Sequence, residues 1–141
     1  MKTMGELTKD KPMHLVATGT LVFDAVKYMS ENNVGAVPVL DEDGRLRGIF
    51  SERDLLKRCI AKELDIRNIK IEDVMTKGVI VVEAHDTNEY TLKIMQQESI
   101  RHMPVRDGEK LIGVISMRDL MQVDCDEKAE EIGHLKSYIS Y

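Results

Sequence analysis

The spacing of hydrophobic and polar positions passes through the same series of periods twice. The apolar runs MHLV (13–16) and VIVV (79–82) read as short strands. After each, apolar residues recur three and four apart. Val22, Ala25, Val26 and Met29 do so between about 21 and 32, and Tyr90, Thr91, Ile94 and Met95 between about 87 and 99, which predicts two helices with one buried stripe each. Next come AVPVL (36–40) and HMPVR (102–106), strands that each carry a proline. The turn-forming DEDGR and RDGEK follow, then the returning strands LRGIF (46–50) and LIGVI (111–115), so two hairpins are expected. Both returning strands lead straight into further helices at Ser51 and Ser116.

The pattern is an internal repeat. With Pro38 set against Pro104 and one loop residue dropped, Leu46 falls on Leu111, Gly48 on Gly113 and Asp54 on Asp119. The predicted fold class is mixed α/β (α+β), built from tandem β-α-β-β-α repeats. One repeat of about 60 residues has too little core to stand comfortably alone, so the two are expected to pack sheet against sheet about a pseudo-twofold axis. Read along the chain, residues 1–62 form the first repeat with its N-terminal segment, 63–123 the second, and 124–141 a charged helical tail. The tail has Ile132, Leu135 and Ile139 on one side and is interrupted by Gly133, a face suited to packing on the body or on a second chain.

Composition narrows the function classes. A length of 141 residues with 43% hydrophobic content suits a compact unit, and a net charge of -5 argues against a surface made to neutralise nucleic-acid phosphates. The longest apolar runs reach only strand length, and the start MKTMGELTKDK has no apolar export region, so a cytoplasmic protein without membrane contact is expected. Cys59 and Cys125 lie far apart and read as reduced thiols, and no His or carboxylate spacing suggests a metal site.

The repeated stretch with most chemical content is GIFSERDL (48–55) and GVISMRDL (113–120). Ser51 and Ser116 sit where a serine caps a helix, with Asp54 and Asp119 three residues on as the reciprocal acidic partners. The same geometry suits a ligand. A helix start offers N–H groups to an anion, and a first-turn carboxylate can accept hydrogen bonds from a vicinal diol, so phosphate and ribose are the matching chemistries. Gly48 and Gly113 lie inside strands rather than in a phosphate loop, and there they imply close approach of another group.

The β-α-β-β-α repeat, the GAVPV and RHMPV strands and the doubled G-h-h-S-x-R-D-L motif resemble the CBS domain, named after cystathionine β-synthase, and two in tandem resemble a Bateman module. The resemblance spans about residues 5–123. It implies binding of adenosine compounds in the cleft between repeats: AMP, ADP or ATP, with S-adenosylmethionine or NADH as further candidates. Carried over by position, one pocket joins Ile49, Ser51 and Asp54 to Val79, Ile80, Arg101, His102 and Pro104. The other joins Val114, Ser116 and Asp119 to Met13, His14, Gly35, Ala36 and Pro38. Arg101 and His102 give the Asp54 pocket cationic donors, so it is expected to prefer a phosphorylated nucleotide, leaving the Asp119 pocket empty or open to an uncharged adenosine moiety. Arg53 and Arg118 either touch phosphate or face water; His102 and His14 are ligand contacts or half-buried core residues. The resemblance also implies a homodimer acting on a separate, unknown effector protein by a shift between conformations. The alternative is a ligand-free scaffold for protein interaction. No nucleophile-and-base set points to an enzyme.

Overall fold

Two three-stranded sheets with the same strand order arise from the two repeats. In the computed structural model, which describes residues 1–139 and side chains through residue 133, the first sheet holds β1 (Val16–Ala17), β2 (Ala36–Leu40) and β3 (Leu46–Ser51). The second holds β4 (Val82–Glu83), β5 (His102–Asp107) and β6 (Lys110–Ser116). In each, the first strand runs parallel to the second and the third returns antiparallel. Helix α2 (Val22–Glu31) bridges β1 and β2, and α4 (Asn88–Glu98) bridges β4 and β5. The α+β repeat therefore stands as expected. Even the register shift recurs, after Val39 and after Val105, opposite Gly48 and Gly113.

The opening strands are shorter than the apolar runs suggest, and the prolines account for it. Ile49 faces Pro38 across the β2–β3 pair, but the Ile49 N–H donates to the Thr76 carbonyl (3.0 Å), away from β2. Opposite a pair that exchanges no hydrogen bonds, the position of the missing Pro38 N–H lies on the β1 side. Parallel pairing therefore ends at Val16 with Val39, and in the second sheet at Val82 with Val105, next to Pro104.

The predicted helical stripes are mostly the buried ones. Val22, Ala25 and Met29 join Val37, Val39 and Phe50 in one core, and Met95 joins Met103, Val105, Ile115 and Leu120 in the other. Tyr90 departs from the stripe and is exposed. Thr91, beside it in the predicted stripe, is buried, its hydroxyl donating to the Thr87 carbonyl one turn back (2.9 Å).

The chain divides into two compact units, but not at the boundary its linear order suggests. Pro12–Ile80 is one unit; Met1–Lys11 belongs with the chain from Val81 onward. Helix α1 (Met4–Thr8) thus completes the second repeat although it precedes the first. Met4 is fully buried in the second core, the Met4 and Gly5 N–H groups donate to the Asp86 and Ala84 carbonyls (both 2.8 Å), and Asn88 pairs with the Lys2 backbone. Reciprocally, the 3-10 turn Ile71–Asp73 and the residues after it close the first repeat, burying Ile71, Val74 and Met75. These lead-in segments are what the strand glycines admit. A Cβ on Gly48 would lie 2.6 Å from the Thr76 carbonyl oxygen, and one on Gly113 3.1 Å from Thr8 Cγ2.

The helices after the motif differ. One α turn, α3 (Glu52–Asp54), passes into the π-helical stretch Leu55–Ile60, whereas α5 (Met117–Ile139) runs on as one helix. Residues 124–139 of the tail are therefore a continuation of α5, and Gly133 does not interrupt it; residues 140–141 lie outside the described residues. Ile132 is exposed rather than packed on the body; the side chains of Leu135 and Ile139 lie outside the described residues.

Candidate functional site

Both Ser-x-x-Asp starts form reciprocal caps. In the first unit the Ser51 N–H donates to Asp54 Oδ2 (3.0 Å) and the Asp54 N–H donates to Ser51 Oγ (3.3 Å). In the second, the Ser116 N–H reaches Asp119 Oδ2 (3.1 Å) and the Asp119 N–H reaches Ser116 Oγ (3.0 Å). Each helix start spends its first N–H internally as well: Glu52 donates to the Gly35 carbonyl (3.0 Å) and Met117 to the Arg101 carbonyl (2.7 Å). Two of the three leading donors are thus engaged within each unit, which weakens the helix start as an anion cradle and leaves the carboxylates as the more distinctive groups.

Those carboxylates have unequal surroundings. Asp54 has only 9% of its side chain exposed. Its Oδ2 also accepts the Ser51 hydroxyl (3.2 Å), while Oδ1 accepts the Thr76 hydroxyl (3.0 Å) and lies 3.5 Å from Arg58 Nε. Arg58 is held in turn by the Met75 carbonyl (3.1 Å). Asp119 keeps 38% of its side chain exposed and pairs with the exposed ammonium of Lys11 (3.1 Å). Partial burial works to raise the Asp119 pKa, but the hydrogen bonds from Ser116 and the Lys11 cation outweigh it, holding the carboxyl below its ordinary value. The threonines explain the difference. Thr76 reaches Asp54, whereas Thr8, which packs on the equivalent glycine, donates its hydroxyl back to the Met4 carbonyl (2.9 Å) within α1. Beneath Asp54, burial and then the negative Asp54 carboxylate raise the Cys59 thiol, so it stays protonated; Cys125 is exposed.

The remaining candidates fall as follows. Ile49, Ala36 and Pro38 are buried in the first unit's sheet, with Gly35 at the entry to β2. Met13 is exposed just before β1, and His14 places Nδ1 3.2 Å from the Tyr28 hydroxyl with the rings edge to face. Half-buried Val79 and exposed Ile80 belong to the same unit, in the stretch leading to β4. Arg101, His102, Pro104, Val114, Ser116, Arg118 and Asp119 belong to the other unit. There Pro104 is buried, His102 and Val114 are partly exposed, and Arg101 is exposed, as are Arg53 and Arg118, each next to its aspartate. Arg101 is linked through its carbonyl to the helix that carries Asp119. Val79 and Ile80 thus share a unit with Asp54, whereas Arg101, His102 and Pro104 share one with Asp119. Thr76, Arg58 and Lys11 were not anticipated. A Thr-Lys pair precedes the first strand of each repeat, at 8–9 and 76–77, and hints at Thr76 alone; no local pattern marks Arg58 or Lys11.

Among the described residues, no cluster of three or more His, Cys, Asp or Glu is arranged to hold a metal ion, and no helix is long and apolar enough to cross a membrane.

Comparison with known proteins gives concordant matches. The model of the CBS domain matches residues 5–61 and 71–126. The CBS domain-containing protein CBSX3, mitochondrial, of Arabidopsis thaliana is 33% identical over 143 residues, covering 99% of this chain and 69% of that protein. Among solved structures, a protein with CBS domains from Burkholderia ambifaria superposes with a TM-score of 0.81 at 34% identity, over 86% of this chain and 93% of its own. The CBS domain pair of protein MJ0100, in complex with 5′-methylthioadenosine and S-adenosyl-L-methionine, gives a TM-score of 0.79 over 90% and 98% of the two chains; at 21% identity that likeness is one of fold.

Proposed function

Because this chain belongs to the CBS domain family, we propose that it is a non-catalytic regulatory module that binds an adenosine compound at its Ser-x-x-Asp helix starts and passes the signal on by favouring one conformation over another. The observation that carries this reading is the pair of capped helix starts, each with a first-turn carboxylate, one of which is still half-exposed and ionised. Such a carboxylate can accept two hydrogen bonds from a ribose diol, while nearby arginines and lysines suit phosphate. AMP, ADP and ATP are the first ligands to test. S-adenosylmethionine follows, because a CBS pair of like fold holds S-adenosyl-L-methionine, and NADH is a further adenosine compound for the same test. Regulation requires that the ligand bind two conformations unequally, since equal affinity moves no equilibrium.

The proposal extends to a cytoplasmic homodimer acting on a separate effector. Leu56, Ile60, Met121 and Ile132 support it, being large apolar side chains left exposed on the helices that follow the two motifs. A second reading, a scaffold without ligand, is favoured at one position: every Asp54 contact described is with its own unit, which is what a purely structural cap requires.

A thermal-shift screen with AMP, ADP, ATP, adenosine, S-adenosylmethionine and NADH separates the two. A ligand at about 100 times its Kd stabilises by roughly 2.7 kcal/mol, a readily measured rise in Tm. No rise with any of the six compounds would leave the scaffold.

A further inference from the structure

The two motif aspartates are equivalent in sequence but not in their partners, and the difference lies outside the motif. Asp54 is buried and engaged on both oxygens by Ser51 and Thr76, with Arg58 beside it and tied down by Met75. For a diol to reach that carboxylate, buried hydrogen bonds would have to break. Asp119 has Ser116 on Oδ2 and, in place of a threonine hydroxyl, the Lys11 ammonium at 3.1 Å. Lys11 has 46% of its side chain exposed, so its ammonium is a rotatable point charge on a long stem. Arg118 directly precedes Asp119, and the Arg101 carbonyl is bonded to the first N–H of α5. The position equivalent to Arg101 in the other unit is Gly35, which has no charge to offer.

Resting on the reading of this chain as an adenosine-binding module, we propose that Lys11 is an exchangeable counter-ion that makes the Asp119 corner selective for a phosphorylated adenosine ligand. In the free protein Lys11 neutralises Asp119. When ribose hydroxyls take over the carboxylate, the released ammonium turns to the phosphate, so one cation serves two anions in succession. An uncharged adenosine must displace the same ion pair and gains no such contact. Selectivity thus comes from a residue on the segment before the first repeat, acting on the motif of the second.

The test is calorimetric titration of the full chain with AMP and, separately, adenosine, on the wild type and on Lys11→Gln, Lys11→Arg and Lys93→Gln. Wild type is expected to bind AMP more tightly than adenosine. Lys11→Gln should weaken AMP about tenfold, the scale of one charge-assisted hydrogen bond, while adenosine binding holds or improves. Lys11→Arg should keep most of the preference for AMP, and Lys93→Gln, which removes the same charge from an exposed position of α4, should leave the ratio of the two affinities unchanged. If the wild type binds AMP and Lys11→Gln leaves that ratio unaltered, or if Lys93→Gln abolishes it equally, the role of Lys11 is overturned while the nucleotide reading stands. If the wild type binds neither compound, the nucleotide reading fails, and the assignment to Lys11 with it.

Discussion

Asp54 and Asp119 occupy the same place in the repeat, yet their removal should have different consequences. Asp54→Ala strips the acceptor from the Ser51 N–H, the Thr76 hydroxyl and Arg58 in a buried setting. It is expected to lower stability by about 2–3 kcal/mol, whereas Asp119→Ala, at a half-exposed site whose serine cap remains, should lower it by about 1 kcal/mol or less. Urea denaturation of the two variants checks this, and equal losses would contradict it. The glycines offer a second comparison. Gly48→Ala drives a methyl against the Thr76 carbonyl at 2.6 Å, so a strong effect of about 1–3 kcal/mol is expected. Gly113→Ala meets the Thr8 side chain at 3.1 Å and should show a smaller shift in the same assay. The capping roles of Ser51, Asp54, Ser116 and Asp119 were legible in the sequence, because a cap is a local matter of residue type and three-residue spacing. Which aspartate is sealed was not legible: that depends on Thr76 and Lys11, residues 22 and 108 positions away from the aspartates they meet.

At the level of elements, hairpins and helices followed the hydrophobic periods closely, since turn glycines and apolar stripes act over a few residues. Gly44 and Gly108 take the positive φ that the two hairpin turns need. The opening strands were overread because MHLV and VIVV look equally strand-like throughout, while the ladder they join is limited by Pro38 and Pro104 on the neighbouring strand. The exchanged lead-ins were also invisible to a linear reading, because α1 finds its place only across a gap of some seventy residues. They make a specific prediction. Deleting residues 1–11 removes Met4 from the second core and the cover over Gly113; burial of one such side chain contributes about 1.5–3 kcal/mol. Hydrogen exchange should therefore quicken in β5 and β6 while β2 and β3 keep their protection. Uniform loss in both sheets would show that the segment does not serve the second unit alone.

For the whole molecule, the exposed apolar residues carry the clearest consequence. Leu56 and Met121 are equivalent positions of the repeat and are 61% and 54% exposed. If they meet a second copy, Leu56→Glu with Met121→Glu should halve the mass seen by sedimentation at micromolar concentration without lowering the helical signal in circular dichroism. A wild type already monomeric, or a double variant still dimeric, would count against this surface. The exchanged lead-ins also set an order of events during synthesis. Pro12–Ile80 is a continuous stretch, free to close once its last residue has emerged from the ribosome, but Met1–Lys11 must wait until β6 has been made. Residues 1–11, made before either sheet, are thus enclosed only after both hairpins exist, and through that interval the nascent chain carries Met4 without its pocket.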